Sequence, residues 1–173
     1  MTLWAAVVAE RLGYSRDEAL TLGRAVAGMN AQSKAVRMGL RGSGAAAGAG
    51  AASGAKPGRG AAGEPERVEL LGRMVPVVRT PQGVRAAKDG KPDSPEAVEK
   101  YLAARFGDGL APARAAMKAL AAAFPPDDLA VNAYGLYEKF RPQVPRGATG
   151  WGAQGVLDLG ALAELAPRRS QRG

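Results

Sequence analysis

Residues 15–41, SRDEALTLGRAVAGMNAQSKAVRMGLR, decide how the rest of the chain is read. Ser15 with Glu18 three positions later is a capping box, in which hydroxyl and carboxylate each satisfy a free backbone N–H of the first turn. Asp17 places a further negative charge where the helix dipole favours it. Beyond the cap, Ala19, Leu22, Val26, Met29, Ser33, Val36 and Leu40 recur at alternating three- and four-residue steps. This is a heptad-like apolar stripe with one polar break at Ser33. Directly beside it, Asn30, Lys34, Arg37 and Arg41 form a second, largely basic row.

Upstream, TLWAAVVAERLG places Leu3, Trp4, Val7, Val8 and Leu12 at helical spacing before a stop at Gly13. The tight Gly13-Tyr14 corner predicts that residues 1–41 form a helical hairpin. No positive charge leads the apolar run, and an acid and a base interrupt it after Ala9. The pattern fits neither a signal peptide nor a membrane span, so a cytoplasmic protein without a membrane partner is expected.

Downstream the texture changes twice. Residues 42–63, GSGAAAGAGAASGAKPGRGAAG, offer no large apolar side chain, and their glycines break any alanine helix. They read as a flexible linker. VELL and MVPVV then flank Gly72-Arg73, predicting a small β-hairpin whose second strand lies at an edge because of Pro76. Ser94-Pro95, with Glu96 and Glu99 following, starts a helix whose apolar face is Val98, Tyr101, Leu102 and Phe106. Two more helices follow, one carrying Leu110, Met117, Leu120 and Phe124, the other bounded by prolines in PPDDLAVNAYGLYEKFRP. A Gly-rich loop around Trp151 and a short helix in VLDLGALAELA complete the pattern. The expected fold is mainly α: an N-terminal helical hairpin (1–41), a flexible Ala/Gly linker (42–63), a helical lobe with a small β-hairpin (64–166) and a basic tail (167–173).

Composition removes several chemistries. Among 173 residues there is no Cys and no His. Thiolate nucleophiles, disulfides, the usual zinc and iron–sulfur ligands and the commonest general base are therefore missing. Neither DGKPDSPE nor PPDD has calcium-loop spacing, and helix capping accounts for their acids. The Gly-rich stretch lacks the Gly-Lys-Ser/Thr ending of a P-loop. A non-enzymatic protein without metal or cofactor is expected. Net charge is +8, but much of it lies in the linker and tail rather than in the predicted helices. The absence of Ile and the excess of Arg over Lys are also what a GC-rich genome produces without selection on charge.

TLWAAVVAERLGYSRDEALTLGRAVAGMNAQSKAVRMG, DSPEAVEKYLAARFGDGL and YGLYEKFRPQVPRGATGWGAQGVLDL resemble stretches of a family of small uncharacterised bacterial proteins. The resemblance covers both lobes but not the linker. It implies a shared helical fold and supplies no activity, cofactor or substrate.

Two functional readings follow from the residues. In the first, Lys34, Arg37 and Arg41 grip nucleic-acid phosphates, most plausibly of DNA, while Lys56, Arg59, Arg168, Arg169 and Arg172 act as basic arms. In the second, the stripe of Leu22, Val26, Met29 and Val36 buries against a protein partner or a second copy. Each has a plainer counterpart, since basic side chains near a helix C-terminus are favoured by the dipole alone and their stems snorkel over apolar neighbours. Tyr134, Tyr137 and Phe140 interleave with Lys139 and Arg141 as base-stacking surfaces do. Tyr134 and Tyr137 share a helical face with Val131, and core packing is the simpler expectation for that face.

Overall fold

A computed structural model describes residues 1–37, 66–142 and 157–166, the side chains of Val36 and Arg37 excepted. The linker 42–63, the loop around Trp151 and the tail 167–173 lie outside the described residues. The chain runs α1 (Thr2–Arg11), α2 (Arg16–Arg37), β1 (Arg67–Leu70), β2 (Arg73–Thr80), β3 (Gly83–Lys88), β4 (Lys91–Pro92), α3 (Pro95–Phe106), α4 (Leu110–Ala122), α5 (Pro126–Phe140) and α6 (Leu159–Glu164). It is mostly helical, with a small antiparallel sheet in the order β1-β2-β3-β4.

The organising element is α1, in which every residue from Thr2 to Ala9 is buried. A helix apolar on all sides belongs at the centre of a core, and α1 packs against α2, α4 and α5 together. Trp4 is fully buried; its indole N–H donates to the Ala133 carbonyl of α5 at 2.8 Å and its ring meets Phe140 edge-on at 5.1 Å. The N-terminal pair of helices thus shares one hydrophobic core with the elements that follow residue 66.

The α1–α2 corner closes as a Schellman motif: Gly13 N–H donates to Glu10 O at 3.2 Å and Tyr14 N–H to Ala9 O at 3.1 Å. Gly13 takes φ +103°, which its lack of a Cβ permits. Where the helices cross, a Cβ on Gly23 would lie 2.6 Å from Thr2 O and 2.7 Å from Ala6 N. Glycine is what allows the two backbones to approach so closely.

The sheet is larger than the single hairpin expected from sequence. Leu71-Gly72, with φ of 50° and 68°, joins β1 to β2, and Asp89-Gly90, with φ of 53° and 77°, joins β3 to β4. Both central residues being left-handed is the signature of type I′ hairpins. The first turn therefore falls one residue earlier than the Gly72-Arg73 reading. Pro76 does not mark an edge: β2 is paired on both sides. Val77 N–H donates toward Glu66 O on the β1 side at 2.8 Å, so by alternation the Pro76 nitrogen faces β3. The β2–β3 pairing runs only from Thr80↔Gly83 to Val77↔Ala86. It stops where Pro76 has no N–H to give.

Candidate nucleic-acid interface

The site begins with how α2 is held. Glu18 completes the capping box, its Oε2 accepting from Ser15 N–H at 2.7 Å. Its other oxygen reaches across to β3 and accepts from Val84 N–H at 2.7 Å. One turn on, the Thr21 hydroxyl accepts from Ala86 N–H at 3.2 Å and donates to Glu18 O at 2.9 Å. Two N–H groups on the β3 edge that β4 leaves uncovered are thus satisfied by side chains of a helix. A Cβ on Gly83 would collide with the Glu18 carboxylate, so this approach also depends on a glycine. Burial alone would raise the Glu18 pKa. Hydrogen bonds from Val84, Ser15 N–H and the Ser15 hydroxyl, with Arg85 nearby, outweigh it and hold the carboxyl below its usual value of 4.5.

This anchoring divides α2 in two. Ala19, Leu20, Thr21, Leu22, Gly23 and Val26 are buried, whereas from Gly28 to Ala35 every residue is half-buried or exposed. The 22-residue helix is about 33 Å long, so its second half projects beyond the core. Lys34 is exposed on that half and Asn30 beside it is half-buried. Of the remaining bases assigned to phosphate contact, the Arg37 side chain and Arg41, Lys56, Arg59, Arg168, Arg169 and Arg172 lie outside the described residues.

Elsewhere on the body, five bases are held in ion pairs with acids. Arg16 pairs with Glu99; Lys118 meets Glu10 at 2.6 Å, Arg79 meets Glu66 at 2.6 Å, Arg141 meets Glu138 at 3.4 Å, and buried Arg85 lies 3.4 Å from Asp17. Arg24 instead stacks on Tyr101, 4.3 Å from the ring centroid. The described stretches hold 17 basic and 15 acidic residues by sequence; the rest of the chain holds seven basic and one acidic.

The stripe on α2 is placed differently from the protein-interaction reading. Leu22 and Val26 are 0% and 1% exposed within the chain's own core, and Met29 packs half-buried against it. The Val36 side chain lies outside the described residues. Leu22 and Val26 therefore have no surface left to offer a partner. The aromatic face of α5 also divides: Phe140 is buried, Tyr134 and Tyr137 are half-buried against the core, and Val131 is 83% exposed. Val131 is not part of that core face, because α5 covers the core with Leu129, Ala133, Leu136 and Phe140 instead.

Sequence reasoning named Glu18 only as a cap. Nothing local in the sequence indicates its bond to Val84, 66 positions away, nor the burial of Arg85. The Asp89-Gly90 hairpin did carry a signal, the dipeptide itself. Among the described residues no group of three or more acidic side chains is placed to hold a metal ion, and no helix is long and apolar enough to cross a membrane. No family model, curated protein or solved structure matches the chain.

Proposed function

We propose that this is a non-enzymatic, nucleic-acid-associated protein that binds phosphates, most plausibly of DNA, without sequence selection. The observation that carries the reading is the partition of charge. The described body is close to neutral, with nearly as many acids as bases and five of its bases in ion pairs, while the remaining segments carry seven bases against one acid. Such a chain resembles a neutral mount bearing basic segments, and phosphate attraction scales with the number of bases free to replace counterions. Lys34 extends the same charge onto the projecting half of α2, immediately before the first of those segments. The burial of Leu22 and Val26 removes much of the support for the interaction-module alternative.

The test is fluorescence anisotropy with a labelled DNA duplex over a range of salt concentrations. If all eight assigned bases contact phosphates, the slope of log K against log salt is about −7. Removing residues 42–63 and 167–173 deletes five of those bases and should bring the slope to about −3. No binding at low salt sinks the proposal. Binding that is insensitive to salt sinks it equally, since phosphate contact must release counterions.

A further inference from the structure

A cavity of about 420 Å³ opens between the start of α1, the middle of α2, α3 and the end of α5. Its volume lies within the range of small-molecule sites. The interior wall is apolar and polarisable: Met117 and Phe140 are buried there, with half-buried Phe106 and Tyr137 beside them. Phe140 already receives Trp4 and Tyr137 edge-to-face at 5.1 and 5.7 Å, so the aromatic cluster of the core continues into the cavity wall. Edge-to-face contacts and a thioether both favour an aromatic guest over an aliphatic one.

Arg105 is the only charged side chain among the described lining residues, and none of them is acidic. Tyr101, whose ring carries Arg24, also borders the space and brings a hydroxyl, as does Tyr137. Desolvation raises the Tyr137 pKa, keeping that phenol protonated and able to donate. An aromatic wall that, among the described residues, carries one guanidinium and two phenols matches a molecule with an aromatic body and a single carboxylate.

We infer that the cavity bounded by Arg105, Tyr101, Tyr137, Met117 and Phe140 is a binding site for a small aromatic carboxylate. The experiment is calorimetric titration of the full chain with phenylpropanoate and with its neutral isostere phenylpropanamide. Saturable one-to-one binding is expected, with the carboxylate at least tenfold tighter than the amide. Arg105→Gln, a change at an exposed position that leaves the core intact, should remove that preference while retaining amide binding. Equal affinities in the wild type, or an unchanged preference in Arg105→Gln, overturn the assignment of ligand class. No binding by the wild type overturns the site itself.

Discussion

Gly23 and Gly28 lie five residues apart on α2, and the structure predicts that the same substitution has opposite signs at the two positions. Helix propensity favours alanine at both by about 0.5–1 kcal/mol. At Gly28, exposed and with nothing within 4 Å of the added Cβ, that gain is all that changes. Gly28→Ala should stabilise by about 0.5–1 kcal/mol. At Gly23 the Cβ would sit 2.6 Å from Thr2 O, against 3.4 Å for ordinary contact, so α1 and α2 must part by about 0.8 Å. The obstructing atoms are backbone, so no rotamer change relieves the clash. Because α1 is buried from Thr2 to Ala9, moving it away from α2 drives it into α4 or α5. Overpacking of this kind costs about 1–3 kcal/mol. Less the propensity gain, Gly23→Ala should destabilise by about 1–2 kcal/mol. Urea denaturation of both variants measures this as midpoint shifts of opposite sign at unchanged slope. Two stabilised variants would refute the close crossing of α1 and α2, and with it the central position of α1.

Three further outcomes test other parts of the structure. Glu18→Ala should cost about 2 kcal/mol at neutral pH, since it removes half of a capping box and leaves the Val84 N–H unpaired. The Glu18 pKa is depressed on folding, so its contribution is present above the unfolded value of 4.5 and fades as pH falls through the folded one. The gap between wild type and Glu18→Gln should accordingly narrow in acid, and a gap that widens there would contradict the assigned bonds. Trp4→Phe keeps most of the ring but loses the indole donor to Ala133, and should destabilise by about 1–3 kcal/mol; urea denaturation followed by far-ultraviolet circular dichroism reads it as a lowered midpoint. On the functional side, Lys34→Glu with Arg37→Glu should lower the magnitude of the salt slope for DNA by about 2 in the anisotropy titration, while an unchanged slope would remove α2 from the interface.

Much of this protein follows from sequence because its signals are local. The Ser15–Glu18 cap, the Gly13 stop and the Ser94-Pro95 start each depend on residues within one turn of each other, and the structure shows the corresponding bonds. The mainly helical architecture rests on the same short-range periodicity. The basic residues proposed to meet nucleic acid were also legible, because charge is a property of the residue itself; their arrangement in space is not. The apolar stripe of α2 shows where local reading ends. Heptad spacing says that Leu22 and Val26 must be covered, but it is silent on whether another chain or this chain's own core covers them. Tertiary structure decided for the core, by placing a wholly apolar α1 against them. It also decided that Pro76 sits in a central strand, that Glu18 serves two elements at once and that Arg105 stands at an aromatic cavity. Each of these depends on residues from different elements coming together in space, and no periodicity along the chain encodes such a meeting.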